Sequence, residues 1–126
     1  MNEKIDELIQ ELGAAVLMDS SYDDYDWDSI SVVLSATEGR GMHGHVYLKN
    51  GDVVTECPSD VSILELAAQL RVSMHQLRPE DGVWVSILLQ LLDDEGDIRI
   101  NILFNYDDEE KWQENNTTAE ELRWRG

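Results

Sequence analysis

Three features of the sequence predict an α+β fold: an antiparallel sheet of about five strands packed with helices, in the order α-β-β-β-α-β-β-α. Two segments carry apolar residues at helical spacing, several shorter ones alternate apolar and polar residues, and turn-forming residues stand between them. No internal repeat or long linker interrupts that order, so residues 1–126 read as one domain.

The elements follow in turn. Ile5, Leu8, Ile9, Leu12 and Val16 form one helical stripe, with Glu3, Asp6, Glu7 and Glu11 between them and acids favourably placed in the first turn. The run from Asp19 to Asp28 has neither helical nor strand period and reads as an acidic, aromatic connection. Ile30, Val32, Leu34 and Ala36 then alternate with serines at 29, 31 and 35, as a strand with one apolar face does. After a turn at Glu38–Gly41, Met42 to Lys49 forms a second strand; Asn50-Gly51 suits a type I′ hairpin, and Val53 and Val54 begin a third strand. Pro58, with Ser59, Asp60 or Ser62 as cap, opens a helix carrying Ile63, Leu66, Ala67, Leu70, Met74 and Leu77, and Pro79 stops it at Arg78.

Val83 to Leu92 and Ile98 to Phe104 flank the turn-rich Asp93-Asp-Glu-Gly96 and predict a closing hairpin. Val83, Val85, Ile87, Leu89 and Leu91 share one face, whereas Trp84, Leu88, Leu92 and Leu103 lie opposite the core series, which calls for a covering helix, the preferred reading, or makes part of that face a docking surface. Thr118 and Glu121 have capping-box spacing for a short last helix in which Leu122 packs.

Composition narrows the function. Nine basic against 27 acidic residues give a net charge of −18, well beyond the magnitude of about 2–8 that suffices for solubility. Such a chain repels nucleic acid and anionic membrane and attracts a basic partner. The single Cys57 excludes an internal disulfide, and the start MNEKIDELIQELG lacks the basic flank and apolar run of a signal peptide, so a cytoplasmic location is expected.

Enzyme chemistry finds few groups. Cys57 with His43, His45 or His75 would be a thiol–imidazole pair, but a small apolar role for the cysteine is the simpler reading. His43 and His45 share a strand face and lack a third and fourth ligand nearby, so they read as surface strand residues. An EF-hand started at Asp19 puts Asp24 at the glycine position and Ile30 at the bidentate glutamate, while one started at Asp93 ends on Phe104. Glycine-rich phosphate loops, nucleophile elbows and basic stripes are absent from the sequence. No catalytic role, cofactor or metal is expected.

Binding is better supplied. Three acidic runs, Asp19–Asp28, Asp93–Asp97 and Asp107–Glu110, fall at element ends, and aromatic residues accompany the first and third. Aromatic rings anchor an interface at low entropy cost, and carboxylates speed encounter with a cationic surface.

The segment from Val83 to Asp108, about a fifth of the chain, resembles the closing hairpin of YezG-like immunity proteins: a Trp-led strand, a glycine turn, a strand and a Tyr-Asp-Asp end. The matching positions are Trp84, Gly96, Tyr106, Asp107 and Asp108; Asp97 departs from the basic or aromatic character that follows the glycine in the family. The resemblance implies a cytoplasmic antitoxin that neutralises a cognate polymorphic toxin, often a nuclease. The expected toxin-binding residues are Asp23, Asp24, Tyr25, Asp26 and Trp27, then Tyr106, Asp107 and Asp108. The expected partner is a basic toxin domain, with no direct nucleic-acid or membrane contact. An acidic adaptor or nucleic-acid mimic acting on a basic host protein shares these electrostatics.

Overall fold

The computed structural model describes residues 3–36, 41–108, 110–113 and 117–124. Its elements run α1 (Glu3–Leu17), β1 (Trp27–Ser35), β2 (Met42–Leu48), β3 (Val53–Thr55), α2 (Ser62–Leu77), β4 (Ser86–Asp94), β5 (Asp97–Asn105) and α3 (Ala119–Leu122). The five strands form one antiparallel sheet in the order β3-β2-β1-β4-β5. The predicted α+β class and element order are those observed. Among the described residues no helix is long and apolar enough to cross a membrane.

Alternation assigns the two sheet faces. Ile30, Val32 and Leu34 of β1 stand opposite Val46, Gly44 and Met42 of β2 and Leu91, Leu89 and Ile87 of β4. This face meets the stripes of α1 (Ile5, Leu8, Leu12, Val16) and α2 (Ile63, Ala67, Leu70) in the main core. Gly13 brings α1 close to β5: a Cβ there would lie 2.4 Å from the Ile100 Cδ1, so that side chain would have to shift.

The opposite face is mostly polar, and the C-terminal segment crosses it. Ser31 Oγ and Gln90 Nε2 both donate to the Leu122 carbonyl, at 2.5 and 2.7 Å, and the Tyr47 hydroxyl donates to that of Ala119. The Leu122 side chain, fully buried, fills the apolar gap over Val33 and Leu88, with Trp112 alongside. The predicted Thr118–Glu121 capping box is present.

Several expectations are corrected. Asn50 has no positive φ, so Asn50-Gly51 is not a type I′ turn; the Gly51 N–H bonds the Leu48 carbonyl at 3.0 Å and Gly51 alone is left-handed, at φ +97°. Paired positive φ values fall instead at Glu95 (53°) and Gly96 (94°), in the tight β4–β5 turn. Val83 and Trp84 precede β4, and Val85 stands outside it, so strand alternation does not govern them. Trp84 therefore joins the main core rather than the far face, 2% exposed and 6.4 Å from the Phe104 ring. Of its predicted companions, Leu88 is covered by Leu122, but Leu103 stays 44% exposed. His43 is buried rather than a surface residue, its Nε2 donating to the Trp112 carbonyl at 2.8 Å. The 19–28 run is a 3₁₀ turn at Ser20–Tyr22 followed by a strand that already begins at Trp27. Of the predicted 38–41 turn only Gly41 lies within the described residues.

Candidate functional site

The strand order decides which acids meet. Trp27 pairs with Leu48, and Ser29 pairs with Leu92, so the approach to β1, the β2–β3 turn and the β4–β5 hairpin all leave the sheet at one end. Exposed Asp26 and Asp28, at the start of β1, therefore share that end with exposed Asp52, Glu95 and Asp97, and the exposed Asp23 and Asp24 stand just before them in the loop. Lys49 stands among them, its Nζ 3.7 Å from both an Asp26 and an Asp93 oxygen, and Arg99 lies 3.0 Å from Asp94. These solvent-exposed pairs are worth at most about 1 kcal/mol each. Two cations among this many carboxylates leave the end strongly negative.

Asp19 fixes the loop that carries this group. Its carboxylate is buried and accepts from the N–H groups of Ser21, Ser59 and Asp60 at 2.9–3.1 Å and from the Ser59 hydroxyl. Burial alone would raise the Asp19 pKa, but the three backbone donors outweigh it and hold the pKa down to about 2. Tyr22 is buried beneath the loop, and its hydroxyl donates to the Glu56 carbonyl at 2.9 Å. Burial, with negative neighbours, pushes its pKa well up. Gly44 makes room for that contact: a Cβ there would sit 2.7 Å from the Glu56 carbonyl and 3.2 Å from the Tyr22 hydroxyl.

Of the predicted anchors here, Tyr25 is half-buried, and its hydroxyl donates to the Glu56 carboxylate at 3.1 Å, which raises its pKa. Trp27 rests against the core and shows only part of its ring. The surface offered to a partner is thus chiefly carboxylate.

Tyr106, Asp107 and Asp108 lie elsewhere. Asn105 pairs with Ser86, at the end of β5 remote from the hairpin, and nine strand residues place the two groups roughly 27 Å apart. The structure thus splits the predicted residues into two sets. Tyr106, 39% exposed, lines a shallow cavity of about 120 Å³ with Ile5, Met74, Leu77, Arg78 and Asp81. Partial burial and the nearby Asp81 raise its pKa. The Asp108 carbonyl accepts from Asn105 Nδ2 at 2.6 Å and its carboxylate from the Glu110 N–H at 3.0 Å.

The His43 and His45 rings meet edge to face, 6.0 Å between centroids. The Cys57 thiol points at the Met42 and Pro58 carbonyls, at 3.5 and 3.3 Å. His45 lies beside Thr55 across the sheet, and His75 ends α2 beside the Gly82 carbonyl. Among the described residues no group of three or more His, Cys, Asp or Glu side chains is placed to hold a metal ion.

Sequence alone does not bring Asp52 and the hairpin acids to Asp26 and Asp28, because strand order is needed to see it. The anchoring role of Asp19 had a signal in Asp19-Ser-Ser21, an Asx-turn spacing. Comparison with protein-family models and with curated proteins gives no match.

Proposed function

We propose that this chain is an immunity protein that binds and neutralises a cognate, basic, nuclease-type toxin inside the cytoplasm, through acidic and aromatic surface residues and without catalysis. The observation that carries the reading is the charge: −18 over 126 residues, with exposed carboxylates from three segments gathered at one end of the sheet. A nuclease must present a cationic surface to phosphates. Carboxylates at a strand-end surface engage such a cleft or its rim and exclude the substrate. The hairpin resemblance to YezG-like proteins, from Trp84 to Asp108, supports the same conclusion by a separate route. Asp23, Asp24 and Asp26 supply the charge, Tyr25 and Trp27 their partly exposed ring edges, and Tyr106 with Asp107 and Asp108 a second contact.

Co-expression with the toxin candidate encoded by the adjacent gene tests this. Survival together with a co-purifying complex is expected. Absence of both rejects the immunity reading and leaves an acidic adaptor for a basic host protein.

A further inference from the structure

The two separated acidic groups have one element in common, β5, and β5 is an edge strand. The sheet's edges differ. β3 is three residues long and exposes little backbone, whereas β5 runs for nine residues without proline. From Ile98 to Tyr106 its only charged residue is Arg99, already paired with Asp94. Ile98 and Leu103 are 36% and 44% exposed. Natural edge strands are ordinarily shortened, charged or bulged to prevent pairing; β5 carries only Asp97 at its first position and Arg99.

Its free backbone groups can be identified. The two-residue turn makes Asp94 and Asp97 a hydrogen-bonded pair, so the odd-numbered residues of β5 bond to β4. The N–H and C=O groups of Ile98, Ile100, Ile102 and Phe104 point outward, and among the described residues no strand pairs with them.

We propose that the free edge of β5 takes up an extended segment of the basic partner as a sixth strand, with cationic residues at the segment's two ends meeting the hairpin acids and the Asp107–Asp108 acids. This rests on the reading of the chain as a binder of a basic protein. Main-chain hydrogen bonds supply affinity in strand addition, and flanking charge sets register. A second copy of the chain fits poorly: antiparallel self-pairing about a two-fold axis brings Asp94 and Asp97 of one copy against Asp107 and Asp108 of the other.

The test uses a synthetic peptide of about seven alternating valines and threonines with two lysines at each end, a length that matches β5. On binding, the amides of Ile98, Ile100, Ile102 and Phe104 should exchange at least about 10-fold more slowly. The same peptide N-methylated at alternate residues keeps its charge but loses donors, and should bind at least about 10-fold more weakly. Equal affinity for both peptides, no binding, or protection confined to other strands overturns the proposal. So does concentration-dependent protection of β5 in the protein alone, which identifies a second copy as the occupant.

Ile98→Pro removes one outward donor and no bond to β4, and should weaken capture of the neighbouring toxin about 10-fold. If that variant rescues and binds as well as the parent, strand addition fails while immunity stands. If the peptide protects β5 but the toxin is neither bound nor neutralised, the edge assignment stands and immunity fails.

Discussion

At the Trp27 end of the sheet, acids from three chain segments meet in solvent around Lys49; at the Tyr106 end, an aromatic ring lies in a shallow apolar cavity with Asp81 at its rim. The first end is dominated by charge, with Val53 and Ile98 part-exposed beside it, and the second has a partly exposed ring beside Leu77, itself 46% exposed. Charge acts at a distance and sets association rate, whereas a desolvated ring acts on contact and sets dissociation. The two ends should therefore fail differently when changed.

The largest effect is expected from Asp19→Ala, which strands the Ser21, Ser59 and Asp60 N–H groups in a buried site. A loss of about 2–4 kcal/mol in unfolding free energy should follow, with exchange protection falling around Tyr22 before the Tyr106 end is affected. The same carboxylate carries a pH signature. With its folded pKa near 2 and an unfolded value of about 3.9, its stabilisation is complete above about pH 4 and is lost as pH falls through 2. The difference between parent and variant in denaturant titrations should narrow toward that acid limit.

Next in size is Tyr106→Ala. Removing the anchor should weaken toxin binding by about 2 kcal/mol, roughly 30-fold, chiefly by faster dissociation, as stopped-flow displacement would show. A change confined to association would assign this end to steering instead. Changing Asp23, Asp24 and Asp26 together to asparagine should slow association about 10-fold at low salt and flatten its salt dependence, with dissociation nearly unchanged. The smallest effect has the opposite sign. Lys49→Met removes a cation from the acidic end and should speed association about twofold.

Legibility from sequence followed the range of the interactions involved. The α1 stripe, the end of α2 before Pro79 and the Thr118–Glu121 box are settled within a few residues of chain, and each is found as expected. The antiparallel sheet followed from alternation, but its order did not, since nothing local tells β1 to sit between β2 and β4. That placement gathers Asp26, Asp52 and Asp93 and sends Tyr106 to the far end. Trp84 and His43 were misplaced for a related reason: each is governed by what packs on it, the core beside Phe104 and the crossing segment at Trp112.

The most direct test of the central claim is a titration of the proposed toxin partner, if the adjacent gene encodes a nuclease, with the purified protein at fixed substrate. Stoichiometric inhibition, complete near one protein per toxin at moderate salt and relieved as salt is raised, is the result expected. Undiminished cleavage with the protein in large excess at low salt would contradict it.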